Sequence, residues 1–156
     1  MNRRLALAIT LLAAVACAPK RIPGTDIQDT SENRAVYKVV EDVVNAINKR
    51  DAGTVLANVS PDYFDDAGTP EPTDDLDRER LEKSMAADFG KVEGSKLAVT
   101  IRKIEVTEGA TAFVEVFYDS YYRVQTPAGP VPRRDSDVHR MRLKKIEGAW
   151  KVAAGL

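Results

Sequence analysis

The sequence has few of the residues on which redox, metal and disulfide chemistry depend. Its 156 residues include one cysteine and one histidine. A single cysteine excludes an internal disulfide, and a single histidine leaves zinc without its usual ligands. An excess of positive charge is also missing, because the formal net charge is -1, whereas nucleic-acid binders are markedly basic. We therefore expect no metal, no cofactor and no nucleic-acid partner.

Only one long apolar run is present, and it lies close to the N-terminus. It extends from Leu5 to Val15, behind the basic pair Arg3-Arg4. A membrane-spanning helix needs about 20 apolar residues, so this shorter run has the proportions of a signal-peptide core. It closes on Ala14-Val15-Ala16-Cys17, which resembles the lipobox of bacterial lipoproteins, although leucine is commonest in the place of Ala14. The alternative is a plain signal peptide with an incidental cysteine.

The lipobox resemblance divides the chain into three parts. Residues 1–16 are predicted to be a lipoprotein signal peptide, residues 17–31 a lipidated tether, and residues 32–156 a single domain. The resemblance implies that Cys17 carries diacylglycerol and an acyl chain such as palmitate, and that this lipid holds the protein in the cell envelope. Ala18 follows the cysteine, and by analogy with enteric sorting this favours the outer membrane, facing the periplasm.

The first half of the domain has helical periodicity. Val36, Val40, Val43 and Ile47 predict a helix over 32–49 with Ser31 as its N-cap. Two further helices are predicted: residues 52–58 capped by Asp51, and residues 74–89, which include Leu76, capped by Thr73 and ended by Gly90.

After Gly94 the apolar period changes to two, which is typical of strands. The phase slips between Ile101 and Ile104, predicting a bulge at Arg102-Lys103. Residues 109–124 have large side chains on both parities and are predicted to form the central strand. A hairpin loop over 126–132 and strands over 136–146 and 150–152 complete the chain. The predicted class is α+β, with three N-terminal helices packed on a curved antiparallel sheet.

Four stretches together resemble the nuclear transport factor 2-like superfamily: Val36–Ile47, Arg50–Leu56, Pro61–Phe64 and Glu147–Val152. The resemblance covers residues 32–156 and implies a cone-shaped fold with a pocket at its open end. Members include ketosteroid isomerase, scytalone dehydratase, SnoaL-like cyclases and many non-catalytic binding domains. Many enzyme-like relatives place a histidine directly after the last strand's Trp-Lys-Val, where this chain has Ala153.

Acid/base catalysis in such a pocket needs a carboxylate or histidine with a shifted pKa, and a donor for the developing oxyanion. The candidates are Asp66 as base, with Tyr118 or His139 as donor, and Tyr63 and Tyr122 as further pocket residues. The alternative is that His139 and the tyrosines only pack. The acidic stretch 62–82 lacks EF-hand spacing and is interpreted as solvated charge. A nucleophile motif of the form Gly-x-Ser-x-Gly is absent from the sequence.

Two sets of side chains on the predicted strands suggest partners. Phe113, Phe117 and Tyr121 share one parity of the central strand, so we expect a homodimer, or an envelope protein partner, on that face. The row Arg140, Arg142 and Lys144 is interpreted as a solvent face, or as a contact for anionic lipid headgroups or glycan. The sequence thus favours a lipid-anchored, non-catalytic domain that binds a protein or small ligand. The alternative is a small isomerase or dehydratase.

The lipid anchor predicts the behaviour of one substitution. Cys17→Ser removes the thiol that receives the lipid, so the variant should take up no label from a tagged fatty acid and should remain unprocessed. The measurement is labelling in cells followed by electrophoresis, with the wild-type chain as the positive control. Equal labelling of the two chains would contradict the anchor.

Overall fold

The computed structural model describes residues 19–156, without the side chains of Val92 and Glu93. The predicted signal peptide, Cys17 and Ala18 therefore lie outside the described residues. Three helices and six strands follow one another along the chain. They are α1 (Ser31–Lys49), α2 (Ala52–Ala57), β1 (Phe64–Asp65), β2 (Leu76–Asp77), α3 (Arg78–Lys91), β3 (Val92–Thr107), β4 (Thr111–Thr126), β5 (Gly129–Ile146) and β6 (Ala149–Ala154).

Helix α1 buries the valine stripe that the sequence predicts. Val36, Val40 and Val43 are all buried in the core. The N-cap is Thr30, whose side chain accepts a 3.0 Å hydrogen bond from the Asn33 N–H. Ser31, the predicted cap, is instead the first helical residue, so the prediction was wrong by one position.

Helix α3 begins later than predicted. Leu76 and Asp77 form β2, which pairs with the two residues of β1 in a small antiparallel sheet. The Asp77 carboxylate then accepts a 2.8 Å hydrogen bond from the Arg80 N–H and so caps α3. Thr73 is therefore not the cap, and Gly90 does not end the helix, which continues to Lys91.

Helix α2 has the predicted N-cap. The Asp51 carboxylate accepts a 3.0 Å hydrogen bond from the Thr54 N–H, which confirms Asp51 as the cap.

The three long strands and the six-residue β6 form one antiparallel sheet in the order β3-β4-β5-β6. Strand β4 lies between β3 and β5, as predicted for the central strand. The register of β3 shifts between Ile101 and Lys103, which confirms the bulge and makes Arg102 the extra residue. Ala112, Val114 and Val116 point from β4 into the core. The α+β class, with helix packed on a curved antiparallel sheet, is confirmed.

The loop predicted over 126–132 is instead a tight turn at Pro127-Ala128, with Thr126 paired to Gly129. Strand β5 runs straight through Pro130 and Pro132. The prolines fit because β6 pairs with β5 only over Arg142–Ile146, so this part of β5 is an edge, where a missing N–H costs little.

The described part of the predicted tether is folded. The Ile22 N–H donates to the Ile27 carbonyl at 2.9 Å, and the Asp29 N–H donates to the Lys20 carbonyl at 2.7 Å. Ile22 and Ile27 are buried in the same core as α1 and the sheet. The prediction of a free tether up to residue 31 was therefore wrong from Lys20 onward. Among the described residues, this hairpin, α1 and the sheet share one core.

Between Pro19 and Leu156, the helices are too short or too polar to cross a bilayer.

Gly155 makes the closest backbone approach of any glycine in the described chain. Its φ is +87°, and an added Cβ would lie 2.6 Å from the Arg140 carbonyl oxygen. Gly155→Ala should therefore lower the free energy of unfolding by about 1–3 kcal/mol. Gly148→Ala is the matched control, since Gly148 has a φ of +83° and open space at its Cβ position. Urea denaturation measures both; an equal loss would show that backbone strain alone, without the clash, is responsible.

Candidate functional site

An apolar cleft lies between α1 and the concave side of the sheet. Its inner lobe, of about 310 Å³, is enclosed by α1, the three strands β3–β5 and the C-terminal residues. Its outer lobe, of about 490 Å³, lies between the ends of α1 and α3 and strands β3 and β4. Ile47 and Leu97 line both lobes, so the two lobes are adjacent, and we refer to them together as the cleft.

The cleft exists because α1 packs tightly over only part of its length. Val36, Val40 and Val43 are buried, whereas Val44 and Ile47 are only half-buried and face the cleft. The last turn is held by Asn48, whose amide donates to the Leu97 carbonyl at 2.8 Å and accepts from the Leu97 N–H at 2.7 Å. These two hydrogen bonds satisfy the main-chain groups of Leu97, as a neighbouring strand would at the edge of β3.

Tyr118 and His139 are the two polar side chains among the described residues that line the inner lobe, beside Val116 and Met141. The Tyr118 hydroxyl donates a 2.8 Å hydrogen bond to the Asp135 carboxylate. That hydrogen bond, followed by desolvation and the negative charges of Asp135 and Asp137, raises the pKa of Tyr118 above its usual value. The phenol therefore stays protonated, with its proton directed at Asp135.

Sequence reasoning missed Asp135 because it lies before the predicted start of the strand at Ser136, and it did not consider Asp137, which lies inside that strand. The structure extends β5 back to Gly129, so that Asp135, Asp137 and His139 share one parity with the buried Met141 and Leu143. The available signal was the parity of His139, Met141 and Leu143, which continues back to Asp137 and Asp135.

Asp66 and Tyr63 lie away from the cleft. Asp66 is exposed, and its carboxylate accepts a 3.0 Å bond from the Gly68 N–H in a turn. The neighbouring Asp65 points inward instead and accepts a 2.7 Å bond from the Gly155 N–H. Tyr63 is 2% exposed, and burial raises its pKa to about 12. The prediction that Asp66 and Tyr63 meet Tyr118 and His139 in one pocket was therefore wrong.

Tyr122 lies in the outer lobe, as expected of a pocket residue. The apolar wall there comes from Phe89, Leu97 and Val124. Four ionic side chains stand at its margin: Arg50, Asp88, Lys91 and Lys96. The outer lobe thus combines an apolar floor with a mixed-charge margin.

The inner lobe offers few groups for proton transfer among the described residues. A general base must lie within hydrogen-bond reach of the proton that it removes. Among the described residues, no carboxylate side chain lines the inner lobe, and Asp135 is already engaged by Tyr118. His139 remains as the side chain able to take or give a proton inside the lobe.

Solved structures share this architecture. A proposed scytalone dehydratase from Novosphingobium aromaticivorans is 15% identical, with a TM-score of 0.68 over 80% of each chain. A ketosteroid isomerase-like protein from Erwinia carotovora atroseptica is 19% identical, with a TM-score of 0.67 over 81% of this chain and 94% of its own. A proposed dehydratase of the nuclear transport factor 2-like family from Streptomyces avermitilis is 16% identical, with a TM-score of 0.62 over 80% and 93%.

The chain therefore has the nuclear transport factor 2-like cone fold, as the sequence resemblance implied. No protein-family model matches the sequence, and no curated protein matches it. At these identities the likeness extends to the fold alone.

The hydrogen bond between Tyr118 and Asp135 can be tested by titration. In the wild-type chain Tyr118 should ionise at higher pH than an ordinary tyrosine, because the neutral phenol is the form that Asp135 stabilises. Asp135→Asn removes the charge and should lower the pKa of Tyr118, whereas Asp137→Asn, as the matched control, should lower it less. Ultraviolet difference titration against Tyr118→Phe isolates this residue. An unchanged pKa in Asp135→Asn would contradict the contact.

Proposed function

We propose that the chain is a lipid-anchored protein of the bacterial cell envelope whose cone domain binds a small apolar molecule in the cleft without transforming it. The anchor is the predicted lipid on Cys17, and the predicted location is the outer membrane, facing the periplasm. The observation that carries the binding proposal is the inner lobe, whose lining is apolar apart from Tyr118 and His139.

The shape of the cleft supports a ligand of a particular kind. Small-molecule sites are concave, mostly apolar and provided with a few convergent polar groups. Here Val44, Val99 and Met141 supply apolar wall, while His139 can donate or accept one hydrogen bond. The Tyr118 proton is engaged by Asp135, so its oxygen is left as an acceptor. A flat or elongated hydrocarbon with a single polar group would match these contacts.

A second candidate function is favoured by the same two side chains. Tyr118 and His139 stand together in a cone of the type that scytalone dehydratase-like and ketosteroid isomerase-like proteins use. An isomerase or dehydratase would use His139 as the base in place of Asp66. Tyr118 would be the oxyanion donor, once its hydroxyl has exchanged its hydrogen bond to Asp135 for one to the substrate oxygen. The third possibility, an envelope protein partner, is addressed by crosslinking in native membranes.

The binding proposal predicts that filling the inner lobe displaces a ligand. Val99 is half-buried and lines the lobe, so Val99→Phe should weaken binding of an apolar fluorescent probe such as 1-aminoanthracene. A steric cost to binding of about 1–3 kcal/mol corresponds to an affinity loss of about 5- to 150-fold. Val138→Phe is the matched control, because Val138 is exposed on the other side of the sheet.

Fluorescence titration distinguishes the outcomes. Weaker binding in Val99→Phe, with unchanged binding in Val138→Phe, supports the cleft as the site. Equal binding in all three chains would overturn it. The enzyme alternative is tested separately with a β,γ-unsaturated ketone, whose conversion to the conjugated ketone is followed by absorbance. Turnover that disappears in His139→Ala would replace the binding proposal with catalysis.

A further inference from the structure

The outward side of the sheet is strongly basic. Among the described side chains, seven cations of β3–β5 share this face with three carboxylates, and Lys144 on the same face is paired with Asp62. The chain as a whole has a formal net charge of -1, so this excess is local. The cations are Lys96, which also stands at the margin of the outer lobe, Arg102, Lys103, Arg123, Arg134, Arg140 and Arg142; we call them the basic face.

Two arginines of the basic face cover the aromatic row of β4. The Arg140 guanidinium lies 4.3 Å from the centre of the Phe113 ring, and the Arg102 guanidinium lies 5.0 Å from that of Phe117. A guanidinium stacked on a ring keeps its N–H edges available for anionic oxygens. Arg102 is also the extra residue of the bulge in β3.

Neither stacked arginine is neutralised by a carboxylate within ion-pair distance among the described residues. Arg134 is paired with Asp119 at 2.8 Å and Lys103 with Glu105 at 2.6 Å, whereas Arg102, Arg140 and Arg142 form no such pair. These three cations lie on the strands to both sides of β4, next to its first half, where Glu105 and Glu115 are the neighbouring carboxylates. Together with Lys103 they outnumber these two carboxylates, which gives this part of the face a net positive charge.

The acidic residues of the chain are concentrated elsewhere. Residues 62–91, which include α3, hold ten carboxylates against four cations. The helices lie on the concave side of the sheet, so the charge of the molecule is divided between its two sides. A planar anionic surface would attract the basic face and repel the helical side.

We propose that the basic face docks on the anionic headgroups of a phospholipid bilayer. Charge complementarity is the principal argument, since each Lys or Arg near an anionic membrane contributes about fivefold in affinity.

A second copy of the chain fits this face less well. A two-fold interface brings the same patch of both copies together. Here the arginines of one copy would lie against the arginines of the other, and their like charges would repel. The aromatic row that favoured a homodimer in the sequence is also largely covered, because arginines lie over Phe113 and Phe117. Tyr121, 43% exposed, remains open.

The test is co-sedimentation of the chain from Pro19 onward with vesicles of phosphatidylglycerol and phosphatidylcholine. This chain lacks the lipid anchor, so the result does not depend on Cys17, and probe binding in the cleft is measured on the same samples. We expect binding that is absent with phosphatidylcholine alone and that weakens with salt, which screens charge beyond about 10 Å at 0.1 M.

Two double variants locate the contact. Arg102→Gln with Arg140→Gln should weaken vesicle binding at least tenfold. Arg142→Gln with Lys103→Gln leaves the stacked pairs intact and should weaken it by a similar factor, so a folding defect in the first variant cannot decide the result. Lys38→Gln with Lys83→Gln makes the same change of net charge on the exposed sides of α1 and α3 and should change binding less than twofold.

Each other outcome overturns the proposal. Equal loss in the control variant would mean that net charge alone governs binding. Binding to heparin without binding to vesicles would assign the face to an acidic polymer. A dimer mass in light scattering that is lost in Phe117→Glu, without vesicle binding, would assign it to a second copy.

Discussion

The structure depends on the packing of α1's valine stripe against the concave side of the sheet. Val36, Val40 and Val43 are at most 1% exposed, and they share a core with Val114, Leu143 and Val152. Burying one such side chain contributes about 1.5–3 kcal/mol. The stripe is fixed at its N-terminal end by Glu32, which accepts hydrogen bonds from the Lys145 ammonium at 2.8 Å and the Trp150 indole at 2.9 Å.

The open cleft follows from how the other end of α1 is held. Asn48 joins the last turn to the main chain of Leu97, so the helix is tied to the sheet at both ends by polar contacts. A helix held in this way cannot tilt to close the space beside Val44 and Ile47. The C-terminal residues help in the same way, because Asp65 binds the Gly155 N–H and fixes the wall formed by Leu156. The cleft is thus a consequence of tethered ends rather than of a missing side chain.

Much of the fold could be predicted from the sequence because its strongest signals are periodic and local. The valine stripe of α1, the Asp51 cap and the phase slip at Arg102 each depend on a few neighbouring residues. The start of α3 could not be predicted, since Leu76 joins a strand partner a dozen residues away. Asp135 was missed for a related reason. The proline-rich stretch before it is typical of a loop, and only its pairing with β4 shows that it is the edge part of β5. The fold class was therefore accessible, whereas the convergence of Tyr118, Asp135 and His139 depended on strand pairing.

Strand parity separates the two surfaces that the chain presents. On β5, His139 and Met141 face the cleft, while Arg140 and Arg142 face outward. A slip of one residue would exchange the two sets, so the register of β5 specifies both surfaces at once. The bulge at Arg102 lets β3 follow the same division after its phase changes. Because a shared cone fold carries no function by itself, the features that we use to argue function are the pairing of Tyr118 with Asp135 on one side and the arginines stacked on Phe113 and Phe117 on the other.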